Sequence, residues 1–373
     1  MGSRHGVVPQ APSLTGFQAV LRELSVSGYR SLRQVSLELS PLTVVVGANG
    51  TGKTNLYQAL QLIASAAQGT LAQLLAAQGG LPSAMWAGPR RKQESHRIEL
   101  SIDLEDLAFE LELGVVPPPQ GPFALDPDVK EERVLVRDGT KLHTIAERKA
   151  TSAWSRDAEG KRTTFPFQLW GGESMLAQVV EPQRFPLLAE LRVRLGQWRF
   201  YHAFRTDADA PARHPQVGVR TPALAHDGRD LAAALTTIRH IGDEAALDEA
   251  VSRAFHDASL ELTSDSGRFS FRLQVPGLLR PLEPSEASDG TLRFLFLLAA
   301  LLSPRPPPFL ALNEPETSLH PDMLEPLSRL ILSASKRGQV FVVTHSDALA
   351  RFLAGATVFT LQKEAGATTL APS

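Results

Sequence analysis

Gly47-Ala48-Asn49-Gly50-Thr51-Gly52-Lys53-Thr54 follows the strand-like apolar run Leu42 to Val46. It precedes Asn55 to Ala67, in which Leu56, Leu60, Ile63 and Ala67 recur at helical spacing. The octapeptide fits Gly-x4-Gly-Lys-Ser/Thr, and buried strand, loop and helix are the context in which that pattern cradles phosphate. The glycines let successive backbone N–H groups turn inward, while the helix opening near Lys53 aims its positive end at the same anion. Lys53 is expected to reach the β- and γ-phosphates of a nucleotide, and the Thr54 hydroxyl to take one Mg²⁺ position. Gly47, Asn49, Gly50, Gly52 and Asn55, with Arg30 from the preceding strand pair, complete the expected nucleotide-binding set.

Composition narrows what surrounds this loop. A 43% hydrophobic and 21% charged chain of 373 residues is that of a folded globular protein. The longest apolar run, Phe294 to Leu302, is far short of the about 20 residues a membrane-spanning helix needs. With no apolar stretch behind a basic start, a secretory signal is not expected either, and a cytoplasmic location with no membrane partner is. Zero cysteines exclude disulfide scaffolds, thiolate catalysis and cysteine-ligated metals, leaving oxygen or histidine for any metal. A net charge of −2 is neutral on the question of nucleic acid.

Outward from the loop, Leu21 to Leu39 alternates like two strands, and Ile98 to Val116 like an antiparallel pair. Val134 to Val136 with Asp138-Gly139 reads as a further hairpin, and Pro117 to Pro122 as a stiff loop. Residues 150–172 show no period. Helical spacing returns between Asp230 and Ala258, then Leu292 to Leu302 reads as a buried helix and Phe309 to Leu312 as a strand. Leu324 to Ser335 is an amphipathic helix, and Val340 to Val343 and Thr357 to Leu361 are strands. Strands alternating with helices imply an α/β protein. Residues 1–18 read as a flexible tail and 19–373 as a single head, with lobes at 19–170, 171–305 and 306–373.

The second half carries further motifs. Phe309 to Glu316 is an apolar strand delivering Asn313 and Glu314 at its carboxyl end, where open α/β sheets bind ligands. It resembles the Walker B segment of ABC-type ATPases. Ser288-Asp289-Gly290-Thr291-Leu292-Arg293 resembles their signature motif, Thr317 to Pro321 their D-loop, and Val340 to Ser346 the strand ending in the switch histidine. The opening Leu24 to Leu32 and the phrase Asn313 to Pro321 are similar to the RecF/SMC-like branch, in particular to stand-alone ATPases without a long coiled coil. The resemblance covers roughly residues 20–65 and 285–362. It implies a P-loop NTPase of α/β class, an ABC-ATPase head with a mixed or antiparallel β lobe and a helical lobe.

The resemblance also implies chemistry. Two heads would sandwich two ATP molecules, with Ser288 and Gly290 of one facing the phosphate loop of the other across an ATP-dependent homodimer. Glu314 would orient and deprotonate water, and His345 would sense the γ-phosphate. Asn313 stands where the family usually has Asp, so Mg²⁺ would be held more weakly and hydrolysis would be slow. Gln178 is the candidate for the metal-coupling glutamine, with Gln183 and Gln197 as rivals. His320 reads as a loop fixture rather than a metal ligand.

Two functions of different class are expected from this. One is ATP hydrolysis coupled to DNA repair, maintenance or defence; the other is a slow ATP-gated dimerisation module that recruits an effector protein. A transporter subunit fits less well, because Thr54 and Ser288 lie 234 positions apart. Between Arg184 and Arg229 eight arginines stand against four acids, with Trp198, Tyr201 and Phe204 interleaved. Such a stretch could track a DNA backbone and stack on bases, or be a solvated face over core aromatics.

Overall fold

A computed structural model describes residues 20–89, 95–115 and 122–371. The expected tail at 1–18 lies outside the described residues, as does the Pro117 to Pro122 loop except its last residue. In chain order the strands and helices begin with β1 (Leu21–Tyr29), β2 (Leu32–Glu38), β3 (Leu42–Gly47), α1 (Lys53–Gln68), α2 (Leu71–Ala77) and α3 (Leu81–Ala84). The middle holds β4 (Ile98–Leu104), β5 (Leu107–Val115), β6 (Pro127–Asp138), β7 (Lys141–Lys149), β8 (Ser152–Arg156), β9 (Arg162–Thr164), α4 (Met175–Gln178), α5 (Pro186–Gly196), β10 (Arg199–Tyr201) and β11 (Gln216–Val217). The remainder is α6 (Leu231–Ile241), α7 (Glu244–Ala254), β12 (Ser259–Asp265), β13 (Arg268–Gln274), α8 (Asp289–Leu301), β14 (Phe309–Asn313), α9 (Leu324–Ser335), β15 (Gln339–Val343), α10 (Asp347–Phe352), β16 (Thr357–Glu364) and β17 (Ala367–Leu370).

These elements form two compact units, each assembled from separated stretches: the described residues of 20–40, 47–198 and 360–371 in the first, 41–46 and 199–359 in the second. The first is built on an antiparallel sheet in the order β2-β1-β4-β5-β6-β7-β8-β9. Its strands alternate, as β4 does with Ile98, Leu100, Ile102 and Leu104 buried and the intervening residues partly exposed, the pattern of a sheet with one face in a core. Residues 150–172, silent in sequence, supply the short outer strands β8 and β9. Helix α1 packs against α2, α4 and α5, and the β16–β17 hairpin lies against β2.

The second unit holds four parallel strands in the order β10-β14-β15-β3. In β14 and β15 all ten residues are buried, which is why both read as uninterrupted apolar runs rather than alternating ones. Helix α8 is apolar nearly all round, and every residue from Phe294 to Leu301 is buried, as expected of a helix enclosed on all sides. Helices α6 and α9 pack directly on it, and α7 and the β12–β13 hairpin belong to the same core. A full side chain of this kind contributes about 1.5–3 kcal/mol when removed from water, so this core fixes where α8 begins.

Candidate functional site

In the first unit, the phosphate loop is set by interactions the motif does not announce. The Lys53 ammonium is buried and donates to the carbonyls of Gly47 at 2.6 Å and Ala48 at 3.0 Å. Gly52 has φ +102°, and a Cβ there would stand 2.1 Å from Thr368 Oγ1 and 2.6 Å from Ser31 Oγ. Those two hydroxyls belong to a directed chain: Asn55 Nδ2 donates to Ser31 Oγ (2.8 Å), Ser31 to Thr368 Oγ1 (2.7 Å), and Thr368 to the Thr51 carbonyl (2.7 Å). Asn55, expected to touch nucleotide, therefore buttresses the loop. Thr368, in the final strand, had no signal in sequence because its partners lie more than 300 positions away.

Beside this chain opens a cleft of about 660 Å³ lined by Arg30, Ser31, Asn55, Gln78, Trp86 and Gly88 among others. Arg30 adopts φ +49° and donates to Gln78 Oε1 at 3.4 Å. Tyr29 donates to the same oxygen at 2.7 Å; burial pushes its hydroxyl up to about 12 despite neighbouring Arg30. The volume falls within the range of small-molecule sites.

In the second unit, β14, β15 and β3 end in register, with Asn313 opposite Val343 and Val343 opposite Val45. Polar side chains gather where these strands stop. Asn313 is 1% exposed; its Nδ2 lies 2.8 Å from His202 Nδ1, and its Oδ1 has no hydrogen bond among the described residues. Glu314 is in left-handed conformation at φ +49°, a position that costs a non-glycine residue roughly 1–2 kcal/mol. Its N–H donates to the Val343 carbonyl at 2.7 Å, and its own carbonyl accepts from Arg293 at 3.1 Å. Burial holds the Arg293 guanidinium below its ordinary range, against the pull of Glu316 and Glu314. His345 Nδ1 is 3.7 Å from Glu314 Oε1 and 3.2 Å from Glu316 Oε1, so Glu314 and His345 do meet, with Glu316 as a third member.

Ser288 is the N-cap of α8, its Oγ accepting from the Thr291 N–H at 3.0 Å. A Cβ on Gly290 would meet the Ser318 carbonyl at 2.6 Å, so only glycine lets the D-loop backbone approach this helix end. The loop entering α8 is held by Arg213, which donates to the carbonyls of Ala287 (2.7 Å), Ser285 (3.2 Å) and Thr206 (2.8 Å) and to Asp289 Oδ1 (2.9 Å). His320 caps the turn after it by accepting from the Asp322 N–H at 3.3 Å, the loop fixture expected.

Two expectations gain detail from the structure. Gln178 spends its whole amide on its own loop, accepting from Trp170 N–H at 2.8 Å and donating to the carbonyls of Trp170 (3.0 Å) and Glu173 (2.9 Å). In this structure it clamps its own loop; Gln183 and Gln197 are exposed. The arginine-rich stretch at 184–229 follows the second of its two expected readings, charged residues over core aromatics. It divides between the two units at Trp198, and Trp198, Tyr201 and Phe204 are buried in cores where no base could stack on them. Arg194, Arg205, Arg213 and Arg229 are each paired with a carboxylate.

Residues 42–351 match the family described as "AAA domain, putative AbiEii toxin, Type IV TA system". Short stretches are similar to an OLD nuclease of Thermus scotoductus, 43% identical over 44 residues, 12% of this chain and 8% of that protein. Others are similar to the DNA replication and repair protein RecF of Paenarthrobacter aurescens, 50% identical over 46 residues, 12% of each chain. The matches thus span a small part of the length of these curated relatives. Among solved structures, the Smc head domain with an extended coiled coil bound to the C-terminal domain of ScpA, from Pyrococcus furiosus, aligns with a TM-score of 0.52. It is 15% identical over 94% of this chain and 95% of that one, a likeness of fold. These relatives agree with the RecF/SMC-like resemblance drawn from the motifs. Since the family match runs over most of its length, the chain belongs to this AAA domain family and is an α/β P-loop NTPase with an ABC-type head.

Proposed function

We propose that the protein binds MgATP on the Gly47–Thr54 loop, dimerises head to head on it and hydrolyses it slowly. The observation that carries this reading is the array of Glu314, Glu316 and His345 at the carboxyl ends of β14 and β15, beside β3, whose chain runs directly into the phosphate loop. The cleft at Arg30, Gln78 and Trp86 has the size and the mixed aromatic and polar lining to seat base and ribose.

Each unit offers an oxygen donor of the kind a hard divalent cation takes. Asn313 Oδ1 is a buried oxygen donor without a partner among the described residues, and Thr54 supplies a hydroxyl at the start of α1. When bound, Mg²⁺ neutralises phosphate charge. Glu314 then takes a proton from water, and Ser288 with the N-terminus of α8 contacts the terminal phosphate of the other copy.

The names of the RecF and OLD relatives favour work on DNA, and DNA is the partner we propose to test first. The arginine-rich stretch no longer contributes to that reading. The neutral Asn313 supports a second one, in which ATP gates dimerisation and recruitment of an effector protein with little turnover.

Sizing the Glu314→Gln protein with and without MgATP tests the first step, since a dimer seen only with nucleotide is the expected result and a monomer in both conditions refutes it. Wild-type turnover that rises with DNA and disappears in Glu314→Gln supports hydrolysis coupled to DNA. ATP-dependent dimers with negligible turnover support the gated module.

A further inference from the structure

Glu316 has no part in the motif reading, yet it is the most enclosed member of the carboxyl-end array. Its side chain is 6% exposed, against 30% for Glu314 and 46% for His345. One oxygen, Oε1, accepts from Thr344 Oγ1 at 2.6 Å and from the His345 N–H at 3.0 Å, and lies 3.2 Å from His345 Nδ1. A carboxylate buried this far needs donors, and among the described residues they converge on Oε1 while Oε2 has none. An imidazole nitrogen that turned a lone pair toward this oxygen would repel it, so the proton of His345 belongs on Nδ1. Which nitrogen of a histidine carries the proton is set by the bond the other makes.

We propose that Glu316 is a positioning residue for His345. It fixes the ring and its Nδ1–H tautomer, so that Nε2 offers a lone pair away from the carboxylate. A lone pair can accept from a water molecule but not from a phosphate oxygen, which is itself an acceptor. His345 is thereby recast from a γ-phosphate sensor into a partner of Glu314 in orienting the attacking water. This last step rests on the proposed ATPase reading; the tautomer does not.

The test is long-range ¹H–¹⁵N NMR on the full chain labelled with ¹⁵N-histidine, the His345 signals being assigned by their loss in His345→Ala. The expected spectrum has Nδ1 protonated and Nε2 as acceptor. Glu316→Ala shifts the proton to Nε2 and lowers kcat at least about tenfold while KM for ATP stays within about twofold. Glu316→Gln, of the same shape and still able to accept from Nδ1–H, restores the tautomer and much of kcat. An Nε2–H tautomer or a doubly protonated ring in the wild type overturns the proposal, as does Glu316→Ala with tautomer and kcat unchanged. Should Glu316→Ala not fold, the wild-type spectrum and Glu316→Gln decide alone. An Nδ1–H tautomer together with full turnover in His345→Ala overturns the water-orienting role and leaves the Glu316–His345 link standing.

Discussion

Asn313 turns its amide nitrogen to His202 Nδ1 at 2.8 Å, which leaves its buried oxygen pointing away from the histidine with no partner among the described residues. His202 thus decides which end of the amide is presented. Asn313→Asp would add a full charge where a metal is expected; at about 6 Å and an effective dielectric of about 20 that is worth about 3 kcal/mol. Mg²⁺ half-saturation of ATP turnover should fall by about ten- to a hundredfold, and kcat should rise. An unchanged Mg²⁺ titration would mean that position 313 does not face the metal.

Arg213 holds the loop that enters α8 through carbonyls at Thr206, Ser285 and Ala287 and through Asp289. Arg213→Gln leaves several of these acceptors unpaired, and a loss of about 2–3 kcal/mol in unfolding free energy is expected. Since Ser288 lies inside the clamped segment, the ATP-dependent dimer should weaken even where the folded protein persists. Denaturant unfolding and sizing in MgATP measure the two effects separately.

Glu132 and Arg148 are both fully buried in the β lobe. Arg148 also donates to the carbonyls of Ala150, Trp170 and Glu173, and the Met175 N–H donates to Glu132. Burial raises the carboxyl above its ordinary value and lowers the guanidinium below its own, in spite of their mutual attraction. Arg148→Met should cost about 3–5 kcal/mol, while Arg148→Met with Glu132→Leu costs less than the two single changes together. A double-mutant cycle by thermal or denaturant unfolding checks this; additive losses would show that the pair is not coupled.

Asp106 is held by a two-pronged bond from Arg194, at 2.5 and 2.8 Å. Burial would raise its carboxyl, but the hydrogen bonds and charge of Arg194 outweigh that and hold it below the ordinary 3.8. A carboxyl depressed on folding contributes stability that is complete above its unfolded value and is lost as the pH falls through the lower folded one. Stability measured from pH 5 downward should therefore fall less steeply in Asp106→Asn than in the wild type, and parallel curves would contradict the assignment.

The parts legible in the sequence are those whose cause is local. The phosphate loop, α8, α9, β14 and β15 each have a run or period of their own, and their neighbours in sequence are their neighbours in space. Glu316, His202, Arg213 and Thr368 were not legible, because each acts on a partner brought near only by the fold. The loop contacts of Gln178 were hidden for a related reason: an amide on a short helix looks the same whether it faces a metal or closes its own loop. For the aromatic residues among the arginines two readings stayed open, because burial depends on which sheet they join, which composition does not record.

The hydroxyl chain from Asn55 through Ser31 and Thr368 to the Thr51 carbonyl has a genetic consequence. An allele with a stop codon or frameshift just before residue 368 would keep every motif by which the chain is recognised and still lack the strand that braces its phosphate loop. Such an allele would be scored as intact by its sequence and would behave as a null.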